Sequence, residues 1–537
     1  MQDGTLLGPV TGTTPLPATL PRSRLCPPIP GTPRRSMTAE TLTAVPRFEP
    51  EGTYRLHIGG RWVPTEATFE TVDPSLGRPW ALIGQASRQQ VDDAVAAAWA
   101  ALPAWSRSSL ATRQRILGAI ADRVEASADR WTRLLPTENG RPVREVALAD
   151  VPSTAAIYRF FAGIVRDHHG EQIPVEDPHS LVYTTREPLG VIAAILPWNS
   201  PIITLANKLA PALACGNTMV VKPSEFASAS ILEFVSLVED LLPPGVLNVV
   251  TGDGPAVGAA LVGHRDVAKV TLTGGGATAR KIMATAAESL TPTIMELGGK
   301  SAMIVAEDAD VDRAVADALM GIYLANGEAC IASSRLLLHV DVADEFLHRF
   351  ATTARSIRVG DALDPTTQVG PLVSRPHFER VVSTLQRARS EGVEVLAGDE
   401  TLELPTANAD GFFLRPTLLL DPHGGSAVTS EEVFGPVTVA ETFTDYDDAV
   451  ARANSTRYGL AAGVWTKDLA RAHSMAQALE SGIVWVNKWF DLPAGMPMGG
   501  VKDSGFGREL SRETLLEYSA SKVVDIDLGA PRFPLWD

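Results

Sequence analysis

The sequence predicts an α/β protein with two domains of alternating strands and helices and a small exposed β ribbon. Short apolar runs recur from residue 190 at intervals of about 24–28 residues, with helical apolar spacing between them. A second alternation of the same kind follows from residue 301. Because parallel strands joined by helices produce this spacing, each region is expected to form its own helix-covered sheet.

The first fifty residues are predicted to be a disordered, proline-rich leader. Residues 1–36 contain eight prolines and one acidic residue, Asp3, a composition that favours neither an amphipathic helix nor a buried core. Their four arginines are typical of an organelle transit peptide, but the prolines oppose that interpretation. Met37 offers a more ordinary start, and we hypothesise that part of the leader is an upstream translation artefact.

Composition excludes several classes of protein. The 537 residues carry a net charge of -16, whereas a nucleic-acid binder would be basic. No apolar run approaches the roughly 20 residues that span a bilayer, so no membrane association is expected. Three cysteines cannot form a disulfide framework and favour a reducing compartment. The chain has 38 Arg and 9 Lys, a ratio that indicates a GC-rich coding sequence. Together these features predict a cytoplasmic, bacterial protein.

The first domain, a Rossmann-like nucleotide-binding domain, is predicted to comprise residues 51–172 and 190–297. Its helix over 112–130 places Ile116, Leu117, Ile120 and Val124 on one apolar face, with Arg113 elsewhere. Its strands are predicted at 190–198, 218–222, 245–250 and 269–274.

The second α/β domain is predicted over residues 298–505. Helices are expected at 310–325 and 342–357, and strands at 301–306, 334–340, 436–442, 461–465 and 482–487. Residues 173–189 and 506–537 are predicted to form an oligomerisation ribbon, with strands near 180–185 and 518–526. Two lone strands need a partner sheet, which we expect another subunit to supply in a homodimer or homotetramer.

Two glycine-rich segments follow predicted strands. Residues 251–258 read G-x-G-x-x-x-G, one residue off the dinucleotide fingerprint, and are interpreted as a tight turn. Residues 271–278 contain three glycines at the start of a helix, where backbone N–H groups could meet a pyrophosphate.

Three residues are candidates for chemistry, although each has a structural alternative. Cys330 could be a nucleophile or a small buried hydrophobe. Glu296, among apolar and glycine residues, could be a general base with a raised pKa or a helix cap. Asn199, at the end of a predicted strand, could donate a hydrogen bond to an oxyanion.

Six motifs in one order remove this ambiguity: Pro197-Trp-Asn-Ser-Pro, Gly216-Asn-Thr-Met-Val-Val-Lys-Pro-Ser-Glu, Glu296-Leu-Gly-Gly-Lys, Gly327-Glu-Ala-Cys, Glu431-Glu-Val-Phe-Gly-Pro and Met498-Gly-Gly-Val-Lys-Asp-Ser-Gly-Phe-Gly-Arg-Glu. From about Tyr54 to Val524 the chain resembles the NAD(P)-dependent aldehyde dehydrogenase superfamily. The 34-residue separation of Glu296 and Cys330 is typical of its hydrolytic members, which do not transfer the acyl group to coenzyme A.

The resemblance implies NAD-dependent oxidation of an aldehyde to a carboxylic acid. Cys330 would form a thiohemiacetal and then a thioester, and Glu296 would act as the base that hydrolyses it. Asn199 and the Cys330 N–H would form the oxyanion hole, with Lys208 and Glu509 relaying protons. No metal site is implied.

The resemblance also implies a cofactor site. Lys222 and Glu225 would hold the adenosine ribose, Glu432 the nicotinamide ribose and Gly275 the pyrophosphate. Glu225 would repel a 2′-phosphate, so NAD is favoured over NADP. The further cofactor residues implied are Trp198, Ser224, Gly254, Thr273, Gly274, Leu297 and Phe434.

Three positions depart from the family pattern. Glu328 stands where Gln is common, and a carboxylate there would raise the thiol pKa if it points inward. Gly275 lacks the usual hydroxyl, and Ala279 replaces a glycine.

The substrate pocket implied by motif position shows no Arg or Lys that could pair with a substrate carboxylate. It comprises Ser200, Thr204, Asn207, Ala329, Ile331, Trp489, Phe490 and Leu492. This mixture favours neutral aliphatic, terpenoid or aromatic aldehydes, unless these side chains simply pack against each other. Two other functions stay open on the same residues: a thiol esterase, and a binding or structural protein without catalysis.

Overall fold

The computed structural model describes residues 45–529 and contains two large, mainly parallel sheets with helices against them. Most of the predicted leader, residues 1–44, and the last eight residues lie outside this range. At residues 45–50 the prediction of disorder is wrong: Phe48 is 8% exposed in the core, and its N–H donates to Thr137 Oγ1. Arg47 bonds to Asp73 and Asp361, so this segment is anchored by charge as well as by burial.

The first sheet has eight strands. In spatial order they are Arg61–Val63, Leu56–Ile58, Leu247–Val249, Thr218–Lys222, Val191–Ile195, Lys269–Thr273, Thr293–Glu296 and Gly505–Phe506. The five strands from Leu247–Val249 to Thr293–Glu296 are parallel. The four strands predicted between residues 190 and 274 are therefore confirmed, with ends shifted by up to three residues.

The second sheet has seven strands. In spatial order they are Glu394–Ala397, Thr417–Leu420, Val437–Phe443, Arg335–His339, Ala302–Val305, Ala461–Trp465 and Ile483–Val486. All neighbouring pairs except the first are parallel. The five predicted strands of this region are confirmed. Two small antiparallel pairs, Ala67–Asp73 with Arg78–Gln85 and Tyr458–Gly459 with Val501–Lys502, complete the pairings outside the ribbon.

Helices fill the connections of both sheets. Those before residue 298 are Arg88–Ser106, Leu110–Ala126, Ala128–Asn139, Val143–Glu145, Val151–Ile164, Pro201–Cys215, Ala229–Val238, Ala259–Val262 and Gly276–Glu288. The later ones are Val311–Tyr323, Val340–Ser356, Arg375–Ser390, Ala427–Ser430, Tyr446–Asn454, Leu469–Ala478 and Glu513–Glu517. In the part of the chain that the structure describes, none of them is long and apolar enough to cross a membrane.

The predicted helix over 112–130 is two helices that meet at Ser127, and its four apolar residues are buried as expected. Arg113 differs from the prediction because it is buried with them. Its guanidinium donates to the carbonyl oxygens of Ser106 and Ala214, at 2.5 and 3.2 Å, which satisfies the buried charge with hydrogen bonds.

The ribbon is a three-stranded antiparallel sheet in the order Ser519–Asp527, Ser180–Pro188, Gln172–Ile173. The two strands that were predicted to lack a partner within the chain pair with each other along nine residues. Neither strand therefore needs another subunit to form its first strand pairing. Residues 506–518 differ from the predicted ribbon: Phe506 belongs to the first sheet, and the helix Glu513–Glu517 packs on the helix Pro201–Cys215.

Candidate active site

A cavity of about 870 Å³ opens where three parallel strands of the first sheet end, at Ile195, Thr273 and Glu296. Carboxyl ends of parallel strands meet at one edge of a sheet, which explains why distant motifs converge there. Most residues singled out in the sequence line this cavity: Trp198, Asn199, Ser200, Thr204, Asn207, Thr273, Gly274, Gly275, Glu296, Leu297, Ala329, Cys330, Ile331, Glu432, Phe434, Phe490, Leu492 and Glu509.

Cys330 reaches the cavity on a tightly held loop, residues 325–330, which we name the Cys330 loop. Ala325, Asn326 and Gly327 have φ values of 56°, 57° and 73°, in the left-handed region. Such a backbone is costly for non-glycine residues and persists only where the surroundings impose it. Asn326 imposes it by donating to the carbonyl oxygens of Gly140 and Pro371 at 3.0 and 2.9 Å.

Two further hydrogen bonds hold the same loop. Asn326 Oδ1 accepts from the Gly370 N–H at 2.7 Å, and the Ala325 N–H donates to Glu145 Oε2 at 2.9 Å. Asn326 and Glu145 are both buried, so these bonds are shielded from water. The loop is therefore fixed from several sides before substrate arrives.

The Cys330 thiol is in a setting that disfavours its ionisation. Burial, followed by the carboxylates of Glu296 and Glu432, raises the pKa of this thiol to about 12. The thiolate is the reactive form of cysteine, so the protein alone leaves most of Cys330 protonated near pH 7.

Glu328, the acid two residues before Cys330, points away from the thiol. Its Oε1 accepts from the Val373 N–H at 3.0 Å and lies 3.4 Å from His377 Nε2. Burial raises the pKa of Glu328 well above its ordinary value. The inward orientation considered in the sequence analysis is therefore not adopted.

Asn199 lies beside the Cys330 loop. Its Nδ2 donates to the Glu328 carbonyl oxygen at 2.7 Å, and a primary amide keeps a second hydrogen for another acceptor. The preceding carbonyl oxygen, of Trp198, accepts from Asn139 Nδ2 at 2.9 Å. One hydrogen bond thus orients the Asn199 side-chain amide and another holds the backbone before it, as a preorganised oxyanion donor requires.

Glu296 ends the strand Thr293–Glu296 and is only 2% exposed. Neither carboxylate oxygen has a hydrogen-bond partner among the described residues. Burial raises its pKa well above the ordinary value, and the Glu509 carboxylate adds to the shift. Behind it, Lys208 Nζ lies 2.5 Å from Glu509 Oε1 and 3.1 Å from Thr271 Oγ1.

The start of the helix Gly276–Glu288 fits a pyrophosphate. The Gly274 N–H donates to the Glu296 carbonyl oxygen at 3.0 Å, so the next N–H groups, at the helix start, are the available donors. A Cβ added at Gly275 would meet no atom within 4 Å, and the buried Thr273 Oγ1 has no partner among the described residues. Open space and unpaired donors are what an anionic ligand requires.

Other predicted cofactor residues fall into two groups: Glu432 and Phe434 line the cavity, whereas Lys222, Ser224, Glu225 and Gly254 do not. Lys222 Nζ is 3.6 Å from Glu225 Oε2, next to Ser224. Glu432 Oε1 accepts from the Gly299 N–H at 2.9 Å, and burial raises the pKa of Glu432 to about 7. The Phe434 and Trp198 rings meet edge to face at 5.4 Å.

The glycine motif at 251–258 forms a π-helical turn, Gly254–Gly258, rather than a phosphate loop. Asp253 caps this turn by accepting from the Ala256 N–H at 2.6 Å. Ala279, where the family has glycine, lies on the helix Gly276–Glu288 and is buried in the hydrophobic core.

Sequence reasoning missed two arginines in the cavity wall, Arg141 and Arg380, as well as His377. The expectation of a mouth without arginine is therefore wrong. Arg141 Nε bonds to Asp150 Oδ2 at 2.9 Å and lies 3.4 Å from Glu145 Oε2. The only local sequence feature that could have drawn attention to Arg141 is the preceding Gly140. Its left-handed φ of 77° turns the chain after the helix Ala128–Asn139.

Trp489 does not line the cavity. It is 2% exposed, its Nε1 donates to the Ile331 carbonyl oxygen at 2.9 Å, and its ring stacks on Trp465. It therefore supports the wall residue Ile331 from behind.

Comparison with known proteins shows where this arrangement occurs. The sequence model of the aldehyde dehydrogenase family matches residues 62–524. PnpE from Pseudomonas sp. WBC-3 is 42% identical, with a TM-score of 0.87 over 90% of this chain and 99% of that one. Betaine aldehyde dehydrogenase from Staphylococcus aureus, solved with NAD+, is 32% identical, with a TM-score of 0.88 over 90% and 97%.

An aldehyde dehydrogenase from Bacillus cereus, solved as an NAD+ complex, is 34% identical, with a TM-score of 0.87 over 91% of this chain and all of that one. These structures have the α/β fold that the sequence predicts, and the six-motif resemblance is confirmed. The chain belongs to the aldehyde dehydrogenase family and is an oxidoreductase of that family.

Proposed function

We propose that the protein oxidises neutral aldehydes to carboxylic acids with NAD, using Cys330 as nucleophile and Glu296 as general base. The observation that carries the proposal is the convergence of Cys330, Asn199 and Glu296 on one cavity that also receives the start of the helix Gly276–Glu288. A simple esterase or a scaffold would not require the last feature.

The first step is attack of the Cys330 sulfur on the aldehyde carbon, which gives a tetrahedral thiohemiacetal. The thiol has to give its proton to a water molecule as it attacks, and its raised pKa makes that loss the costly part. Once formed, a thiolate in this buried setting is poorly solvated and therefore a strong nucleophile.

Asn199 is proposed to stabilise the oxygen that becomes negative during this attack, together with the Cys330 N–H. Its Nδ2 is already oriented by the Glu328 carbonyl oxygen, so little reorganisation is needed. A donor of this kind contributes about 3 kcal/mol to the transition state in comparable sites.

The cofactor is proposed to lie across the helix start, held by Lys222, Glu225, Glu432 and the backbone at Gly275. A bound NAD would supply the acceptor for the hydride that leaves the tetrahedral carbon, and an acyl thioester would remain on Cys330. Glu225 lies beside Lys222 with an exposed carboxylate that would accept ribose hydroxyls and repel a 2′-phosphate, which supports NAD over NADP.

Glu296 is proposed to take a proton from the water that hydrolyses the thioester. A carboxylate with a raised pKa is a stronger base than an ordinary one, and its unpaired oxygens are free to accept that proton. Lys208 and Glu509, which lie behind it, are proposed to pass the proton onward.

The ribbon is proposed to join subunits into a homodimer or homotetramer. Its strand Ser519–Asp527 is an edge of the three-stranded sheet and exposes Val523 and Ile526. An exposed edge with apolar side chains is a natural template for a second chain. Light scattering of the purified protein measures the assembly.

The central test is NADH formation from a panel of neutral aldehydes by the wild-type protein and by Cys330→Ala. The proposal expects turnover by the wild type and only background with the variant. Ester cleavage without NAD reduction would instead indicate a thiol esterase, and neither activity would indicate a scaffold. Replacing NAD by NADP should lower kcat/KM, and Glu225→Gln should reduce that difference.

A further inference from the structure

Asn207 is a buried polar residue in the cavity that no step above uses. It lies on the helix Pro201–Cys215, is 3% exposed and lines the cavity. Its Oδ1 has no hydrogen-bond partner among the described residues. Buried polar atoms in native proteins nearly always have a partner, so the partner of Asn207 is expected to come from the cavity itself.

The surroundings of Asn207 restrict what that partner can be. Ile203 and Thr204 precede it on the same helix and line the same cavity. The Thr204 hydroxyl already donates to the Ser200 carbonyl oxygen at 2.9 Å. Ile157 and Leu492 also line the cavity, so a ligand that reaches Asn207 meets apolar as well as polar wall.

The ion pairs on the wall leave room for a neutral partner of Asn207. Arg141 is paired with Asp150 at 2.9 Å and lies 3.4 Å from Glu145, although its Nη1 has no hydrogen-bond partner among the described residues. Asp491, also on the wall, is paired with Lys488 at 2.6 Å. A neutral hydroxyl can pair with the Asn207 amide without displacing either ion pair, and a carboxylated aldehyde tests whether the Arg141 guanidinium attracts an anion instead.

We infer that Asn207 selects aldehydes that carry a hydroxyl group, by a hydrogen bond between that hydroxyl and the Asn207 amide. A hydroxyl both donates and accepts, so it can pair with Oδ1 or, after rotation of the amide, with Nδ2. The inference rests on the proposed function and narrows its substrate class from neutral aldehydes to neutral hydroxy-aldehydes.

The size of the preference follows from the burial of the amide. A site built to bond a substrate hydroxyl rejects the analogue that lacks it, because the buried polar group then stays unpaired. We expect at least about a tenfold higher kcat/KM for the best hydroxylated aldehyde than for its parent.

The experiment measures kcat/KM for benzaldehyde, its three monohydroxy isomers and 4-carboxybenzaldehyde, and for butanal with 3- and 4-hydroxybutanal. Asn207→Leu, which keeps the side-chain shape, is expected to reduce the hydroxyl preference to within about twofold. As the control, Ser153→Ala removes a different polar group, a hydroxyl, from the cavity wall, and it is expected to leave the preference intact.

The outcomes separate this inference from the proposed function. If the wild type oxidises the parent aldehydes and their hydroxylated analogues equally well, the inference is overturned and the proposed function stands. This comparison needs only the wild-type protein. A preference that survives Asn207→Leu, or a better rate with the carboxylated aldehyde, also overturns it. If the wild type oxidises none of these compounds, the proposed function and the inference both fail.

Discussion

The Cys330 loop and Glu296 face the same cavity but are held in opposite ways. The loop has three left-handed residues in succession, kept in place by the hydrogen bonds of Asn326 and Glu145. Glu296 is equally buried, yet both its oxygens are without a partner among the described residues.

This difference matches what the two proposed roles require. A nucleophile acts from one position, so hydrogen bonds that fix its loop lower the cost of reaching the transition state. A general base has to gain and lose a proton, and hydrogen bonds to its charged form would lower its pKa and weaken it.

The largest effect is expected from Glu296→Gln. Because the amide cannot take a proton from water, steady-state turnover should fall about 10²–10⁴-fold. Acylation does not use this base, so rapid mixing should still show a burst of NADH close to one per active site. Loss of the burst together with turnover would contradict a role confined to hydrolysis.

On the other side of the contrast, Asn326→Ala should release the Cys330 loop. It removes three buried hydrogen bonds and places alanine at a φ of 57°. We expect the free energy of unfolding to fall by about 2–5 kcal/mol and NADH formation to fall by about 10²-fold through misplacement of the thiol.

Denaturant unfolding and burst kinetics measure the two effects of this substitution. Asn326→Asp keeps the acceptor for the Gly370 N–H but places a buried carboxylate oxygen against two carbonyl oxygens, so it should be at least as disruptive as Asn326→Ala. Unchanged burst kinetics in Asn326→Ala would show that the loop does not need this support.

A smaller effect is expected on the pH dependence of hydrolysis. Glu296 works only when deprotonated, so hydrolysis should rise with pH through its pKa. Glu509 raises that pKa and Lys208 lowers it. Glu509→Gln should therefore move the acidic limb of the kcat profile to lower pH, and Lys208→Met should move it to higher pH, each by about one unit.

Opposite shifts in these two variants distinguish electrostatics from general damage, because each variant breaks the same buried ion pair. Thermal unfolding should show a similar loss of stability in both. Shifts in the same direction would exclude the proposed influence of this pair on Glu296.

The smallest effect is expected from Glu328→Gln. An amide oxygen can still accept from the Val373 N–H, and the side chain points away from the thiol. The rate of Cys330 alkylation by iodoacetamide should change by no more than about twofold. The measurement is made in a Cys26→Ser background, so that the one thiol besides Cys330 is Cys215, which is buried. A large acceleration would show that Glu328 suppresses the thiol.

Elements with a strong local pattern could be predicted from the sequence. The strands Thr218–Lys222 and Ala461–Trp465 consist largely of apolar residues and are buried on both faces, and their predicted bounds are those observed. Arg113 was placed wrongly because its partner carbonyl at Ala214 lies about a hundred residues away.

The proposed catalytic residues were predicted from motifs rather than from local physics. Arg141 was missed because only the folded chain brings it to the cavity wall, where Asp150 balances its charge. The unpaired state of Glu296 and of Asn207 was equally hidden, since a missing partner is a property of the packed structure alone.

The strand that carries Glu296 has a consequence for biosynthesis. Its outer neighbour in the sheet is Gly505–Phe506, and the Leu297 N–H donates to the Ser504 carbonyl oxygen at 3.1 Å. A ribosome therefore adds about two hundred residues after Glu296 before that edge can close. The order of translation therefore delays closure of this edge of the sheet until Phe506 has been synthesised, long after Glu296 and Cys330 have left the ribosome.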